Sequence, residues 1–225
     1  MTRDYVEVQY NHEVRPITSY PEKLATYLAR RHQFEELQSL LEIGAGRPDV
    51  LIGFKKLGLQ VNACDISQVS RTACLSAEIP FKIIDLFVDN LPYDDNSFDI
   101  VYSKSVIEHM PDPGKFFAEA FRVLKPGGKI LTLTPDWEAN FKSFFDDPTH
   151  VRPMTRRSME VSLGIAGFDN IEAYRFRQLP WTWDSPLGNA FALLLSKFVP
   201  TRTRKSPFRW TRELMLVGYA TKPRA

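Results

Sequence analysis

Only two cysteines occur among the 225 residues, Cys64 and Cys74. Two cannot build a disulfide framework, and neither has the spacing of a metal ligand. Cys64 falls inward on an apolar stretch and reads as a small core residue. No apolar run reaches 18 residues, so no segment reads as a bilayer-spanning helix. No basic, apolar and small-residue leader pattern opens the chain, and a cytoplasmic protein is expected. Nor does either charge sign dominate. With 29 basic and 27 acidic residues the net charge is +2, which argues against a general nucleic-acid binder. Internal repeats and low-complexity segments are also missing. What remains is 44% hydrophobic and 25% charged, an ordinary globular composition. The length suits one domain, spanning 1–225, with a sizeable core.

Residues 39–43 (SLLEI) have the short apolar run of a buried parallel strand. Gly44 and Gly46 follow, where the backbone can turn tightly and approach a ligand closely. Residues 49–57 then take helical spacing, with Asp49 where an N-cap belongs. A strand, a glycine turn and a helix N-terminus make a nucleotide-type site at the carboxyl end of a sheet. A Gly-x-Gly alone is equally a tight turn with no ligand. Spacing decides for the site. Asp65 closes the next apolar strand about 20 residues after the glycines, where an acid can grip two ribose hydroxyls. Asp85 ends the strand after that.

Three further stretches carry a resemblance: NSFDIVYS at 96–103, VIEHMPDP at 106–113 and RVLKPGGKI at 122–130. Together with the glycine loop they resemble, in order and spacing over about residues 38–135, the class I S-adenosylmethionine-dependent methyltransferases with small-molecule acceptors. The resemblance implies a Rossmann-like, mostly parallel seven-stranded sheet with helices on both faces and a C-terminal antiparallel strand pair. It implies S-adenosylmethionine as cofactor. Glu42, Gly44, Ala45 and Gly46 then line its methionine portion, with backbone contacts from Ser103 and Lys104. Asp65 and Ile66 hold the ribose and flank the adenine, which Asp85 and Leu86 contact. One departure stands out: the family usually has a third glycine two residues beyond Gly46, where this chain has Pro48, a residue the first helical turn tolerates.

Before this core, residues 1–20 are polar and aromatic (Tyr5, Tyr10, Tyr20) without a clean period. Pro21 opens a predicted helix over 22–36, the main element of an N-terminal cap at 1–37. Arg30, Arg31 and His32 read as its solvated face. The core itself, residues 38–135, alternates strands and helices, and Pro126-Gly127-Gly128 is read as the turn into the fifth strand. From Asp85 to Asp99 there are five Asp and no basic residue, read apart from Asp85 as solvated turn residues rather than a metal site.

His109 and the stretch Asp146–Thr155 belong to the acceptor side, which with its insert covers 136–225. His109 could be a base or a loop-holding structural histidine. Asp147, His150 and Arg152 put a carboxylate, an imidazole and a guanidinium within six residues. His150 could take a proton from a sugar hydroxyl, oriented by Asp147, while Arg152 clamps a phosphate or carboxylate. Turn and capping chemistry is the alternative for the same residues. No metal is expected, since no second histidine lies nearby in sequence. Thr155 caps a predicted helix over 156–166, and strands are predicted over 171–176 and 213–221.

Between those last strands lies an insert, 178–212, with Trp181, Trp183, Trp210 and the apolar run 187–199. Lys197, Arg202, Arg204, Lys205 and Arg209 flank that run. From Ser196 to the end there are eight Lys/Arg and one Glu, a local balance of +7 that leaves the rest near −5. The helix in the insert could lid the acceptor pocket, pair two copies in a homodimer, or contact a membrane interface through 187–209.

The reading that follows is a methyltransferase acting on an oxygen of a small molecule or cell-surface glycan precursor, with phosphate-bearing or lipid-linked acceptors among the candidates. A weak or inactive member serving as an assembly partner is the alternative. A nicotinamide-dependent dehydrogenase ranks below both, because it wants a glycine where Asp49 stands.

Overall fold

The computed structural model describes residues 4–9, 16, 18–200 and 207–224. Seven strands are β1 (Ser39–Ile43), β2 (Gln60–Asp65), β3 (Phe81–Ile83), β4 (Phe98–Lys104), β5 (Leu124–Pro135), β6 (Asp169–Arg177) and β7 (Leu214–Thr221). They form one sheet in the order β3-β2-β1-β4-β5-β7-β6. The first five run parallel, and β7 is antiparallel to both β5 and β6. The chain walks outward from β1 to β3, then returns to place β4 on β1's other side. That reversal opens a crevice at the strands' carboxyl ends.

Eight α-helices accompany the sheet among the described residues: α1 (Tyr5–Gln9), α2 (Tyr20–Arg31), α3 (Asp49–Lys56), α4 (Gln68–Ser76), α5 (Gly114–Val123), α6 (Trp137–Asn140), α7 (Arg156–Ile165) and α8 (Pro186–Ser196). Strand alternation sorts their contacts. Leu40, Leu131, Leu133 and Val217 pack with Leu24 and Leu28 of α2 and Phe54 of α3 on one face. Leu41, Val101, Ile130 and Leu216 pack with Phe116 and Phe117 of α5 and Met159 of α7 on the other. Burying each such side chain is worth roughly 1.5–3 kcal/mol, so both faces must be covered. Helix starts follow the sequence: Ser67 caps α4, and Thr155 forms a capping box with Ser158 at α7, as expected of it.

Several expectations need correction. Pro48, not Asp49, occupies the N-cap of α3; its φ of −78° suits the pyrrolidine ring, and Asp49 is the first helical residue, paired to Arg47 at 2.6 Å. The Pro126-Gly127-Gly128 segment lies inside β5, as a register shift between the pairs Phe98–Leu124 and Ile100–Lys129. Helix α2 stops at Arg31, because Gln33 enters the left-handed region at φ +53° and the Phe34 N–H closes on the Ala29 carbonyl. Asp99 is no loose turn residue: it accepts from the Ser39 backbone and hydroxyl and from Lys125, joining β1, β4 and β5. Tyr10, Arg202, Arg204 and Lys205 lie outside the described residues.

The Arg30–His32 stretch is not simply solvated. Aromatic side chains of β6 and β7 rise beneath the end of α2. Arg31 lies over the Tyr174 ring, and His32 is buried, stacked on Tyr219 at 4.4 Å and 3.1 Å from the Tyr174 hydroxyl. Burial, with Arg31 and Lys129 nearby, pushes the His32 imidazole down to about 4. A depressed histidine stabilises the fold above its unfolded value near 6.5 and withdraws that support as pH falls toward 4. Urea midpoints of the wild type are therefore expected to drop across that window, and less steeply in His32→Phe. Parallel curves for the two proteins would contradict this assignment.

Candidate active site

A cavity of about 1010 Å³ opens at the carboxyl ends of the parallel strands. Its floor is the turn after β1. Gly44 has φ +73° and Gly46 φ +49°, both in the region that favours glycine. A Cβ on Gly44 would come within 2.3 Å of Val106, whereas Gly46 faces open space. The N–H groups of Gly44 and Ala45 both donate to the Cys64 carbonyl, at 2.8 and 3.2 Å. Asp65 completes the clasp. One carboxylate oxygen accepts from the Gly46 N–H and the other from the Ser67 N–H, each at 2.8 Å. Burial raises the Asp65 carboxyl above its ordinary value despite those two bonds, and Asp4 adds to the shift.

Glu42, Gly44, Ala45, Gly46, Asp65, Ile66, Asp85 and Leu86 all line this cavity. Glu42 is buried, and its Oε2 has no hydrogen-bond partner among the described residues. Burial holds its carboxyl well above the usual range, Lys104 opposes the shift, and Asp65 and Asp49 reinforce it. An orphaned acid on the wall asks for a cationic or donor ligand. Ser103 does not line the cavity. Its hydroxyl turns into the sheet, 2.8 Å from that of Thr132, and Lys104 and Ser105 face the space instead.

At the far end the two loop histidines part. His109 lines the cavity and His150 does not. The His150 Nδ1 donates to the Phe144 carbonyl at 2.7 Å, and its Nε2 stands 4.0 Å from Asp147, beyond hydrogen-bond reach. Asp147 therefore does not orient His150. It accepts instead from the Tyr5 hydroxyl at 2.8 Å and from the Thr149 hydroxyl at 2.6 Å. Having donated there, the Thr149 hydroxyl must accept from His109 Nδ1, 2.9 Å away, which leaves lone-pair density on His109 Nε2. Burial and the neighbouring His150 lower the His109 value. Asp147 is held below the carboxylate range: burial works against this, but the bonds from Thr149 and Tyr5 outweigh it. Arg152 is exposed and away from the cavity; its N–H and that of Val151 both bind the Glu108 carbonyl, fixing the backbone there. A second histidine does lie near His150 after all: possible ligand atoms of Glu108, His109 and His150 fall within 4.8 Å of one another.

The cavity's roof comes from the N-terminal cap and the insert, though from segments flanking the predicted helices. It comprises Asp4 to Val6 of the N-terminal segment and Gln178 to Pro180, Arg209 and Trp210 of the insert. The aromatic character of the N-terminus and the insert was visible, but no periodicity told where either would fold back.

The family described as "Methyltransferase domain" matches residues 41–132, the span that builds the floor and walls. Residues 41–132 thus carry the match to a methyltransferase domain, and solved methyltransferases share the fold of the chain. Phosphoethanolamine N-methyltransferase 2 of Caenorhabditis elegans is 26% identical over 217 residues, covering 87% of this chain and 47% of that protein. The 27-O-demethylrifamycin SV methyltransferase of Amycolatopsis mediterranei is 28% identical over 147 residues, covering 60% and 50%. A SAM-dependent methyltransferase from Archaeoglobus fulgidus shares the fold with TM-score 0.69 at 18% identity, over 97% of this chain and 100% of that one. The chain thus spans about half the length of these two curated relatives.

The cofactor of this methyltransferase family fits the residues present. The amino acid portion has an ammonium group for Glu42, the ribose has hydroxyls for Asp65, and Gly46 leaves room for close approach. If an ammonium meets a protonated Glu42, binding must expel that proton. Titration with S-adenosylhomocysteine across a pH series, in buffers of different ionisation enthalpy, is expected to show proton release over the window between the raised value of free Glu42 and its lower value beside the ammonium. Glu42→Gln is expected to release fewer protons and to bind about tenfold more weakly, the loss of one charged hydrogen bond. Heats independent of buffer in the wild type would rule the coupling out.

Proposed function

We propose that this methyltransferase modifies an oxygen of a small molecule or a cell-surface glycan precursor. The observation that carries the proposal is the Asp147–Thr149–His109 chain, which ends in an imidazole on the cavity wall. S-adenosylmethionine supplies an electrophilic methyl group on a sulfonium when bound. A hydroxyl acceptor must lose its proton during attack, and His109 Nε2 is the group set to take it. Asp147 acts through Thr149 as a positioning residue, fixing the tautomer and orientation of the ring. Tyr5, Trp210 and Arg209 line the acceptor end of the cavity, with Arg209 beside Glu213 at 3.8 Å, and closure of this rim over bound substrates would exclude water. His150 supports this wall edge-on to His109, at 4.9 Å between ring centroids. Arg152 has no place in the acceptor site under this reading.

Methylation of an amine is the second reading, favoured by the likeness to a phosphoethanolamine N-methyltransferase. An amine that is already neutral needs less help from a base, so the two readings separate on one residue. On a hydroxyl acceptor, His109→Ala is expected to lower kcat by about 100-fold or more, within the range for general-base catalysis, with cofactor affinity kept. Asp147→Asn is expected to lower kcat less, with KM nearly constant. Turnover of glycan and phenolic acceptors with wild-type kcat in His109→Ala would eliminate the base. Absence of cofactor binding together with no turnover on hydroxyl or amine acceptors would favour the assembly-partner alternative.

A further inference from the structure

Glu108 is fully buried within the 3-10 turn Ile107–His109 that follows β4. Its Oε2 accepts from the Thr134 hydroxyl of β5 at 2.9 Å, but its Oε1 has no hydrogen-bond partner among the described residues. A carboxylate oxygen sealed from water without a donor is costly, and methyl transfer gives this one no role. The two loop histidines stand beside it, and both have Nδ1 committed. His150 Nδ1 faces the Phe144 carbonyl at 2.7 Å, and His109 Nδ1 faces the Thr149 hydroxyl and carbonyl at 2.9 and 3.3 Å. A carbonyl can only accept, so each Nδ1 carries the proton and each Nε2 presents a lone pair. Metal-binding histidines are held in the same way, by an outward hydrogen bond from the nitrogen that does not ligate.

The backbone holds the three together. The N–H groups of Val151 and Arg152 both bind the Glu108 carbonyl at 2.9 Å, which ties the loop bearing His150 to the turn bearing the other two. Two neutral imidazoles and one carboxylate suit a borderline ion. Mg2+ and Ca2+ prefer oxygen ligands throughout, whereas Zn2+ takes nitrogen and oxygen at about 2.0–2.2 Å. Ligands on a tetrahedral Zn2+ at those bond lengths lie about 3.3–3.6 Å apart. The ligand atoms here fall within 4.8 Å of one another, so side-chain rotation has only a short gap to close. The ion would give Glu108 Oε1 the partner it lacks, and the Asp147 carboxylate, 4.0 Å from His150 Nε2, adds negative charge nearby.

We propose that Glu108, His109 and His150 bind one divalent ion of the Zn2+ class at the cavity wall. His109 lines the cavity, while Glu108 and His150 stand behind it. An ion on His109 Nε2 occupies the lone pair that would take the acceptor's proton. If the base reading above holds, the site is therefore a brake on methyl transfer to hydroxyls; the binding itself does not depend on that reading.

Equilibrium dialysis of the full chain, free of any histidine tag, against Zn2+ alone tests the site directly. The wild type is expected to bind one Zn2+ per chain with a dissociation constant of about micromolar order or below, and excess Mg2+ is expected not to displace it. Glu108→Gln and His150→Ala are each expected to weaken binding at least about tenfold, since even the outer partners of metal ligands are worth that much. Because Glu108 is buried, the wild type is also read without substitution: bound Co2+ is expected to show the strong visible absorption of a four-coordinate ion, which six-coordinate aqueous Co2+ lacks. No stoichiometric Zn2+, a six-coordinate Co2+ spectrum, or wild-type affinity in both folded variants overturns the proposal. On a hydroxyl acceptor, Zn2+ is expected to lower kcat about tenfold or more, and a chelator to restore it. Full turnover with Zn2+ bound would contradict His109 as the base and leave the binding result standing. Dialysis needs no acceptor, so a failed methylation assay does not touch it.

Discussion

Two backbone N–H groups converge on the Asp65 carboxylate, Gly46 on one oxygen and Ser67 on the other, each at 2.8 Å. The glycine turn after β1 and the start of α4 are thereby fastened to the end of β2. Without that clasp the turn has little to hold it open, because Gly44 and Gly46 are the residues most free to take other conformations. The clasp costs something. Asp65 is desolvated enough that its carboxyl sits above its ordinary value even with two bonds. A ligand offering hydroxyl donors would relieve that cost.

The acceptor end shows a comparable economy. Asp147 joins the N-terminal segment, through Tyr5, to the loop that carries Thr149 and so to His109. Closing α1 over the cavity and orienting the imidazole are one arrangement of hydrogen bonds. The floor comes from the parallel strands and the roof from the two segments outside them, so a common cofactor site can serve many acceptors as the roof varies.

Much of the floor could be read from the chain, because β1, the glycines, Asp65 and Asp85 are local signals with fixed spacing. The acceptor end could not. Asp147 and His150 are neighbours in sequence, which suggested a pair, yet the 3-10 turn before Asp147 points His150 at the Phe144 carbonyl and leaves Asp147 for Thr149 and Tyr5. Tyr5 lies 142 residues away, and no periodicity announces such a contact. The hydroxyl of Ser103 is turned by strand alternation toward Thr132, while its neighbours Lys104 and Ser105 line the cavity. His32 was misread because the aromatic residues that bury it sit on β6 and β7, far along the chain.

The central claim is that the cavity over the β1–β4 crevice holds S-adenosylmethionine and that Asp65 organises it. The direct measurement is the dissociation constant of S-adenosylhomocysteine for the wild type and for Asp65→Ala, by calorimetry. The account predicts one site per chain with affinity of about micromolar order, weakened about tenfold or more in the variant, or at least 1.4 kcal/mol. No binding to the folded wild type, or equal affinity in both proteins, would contradict it.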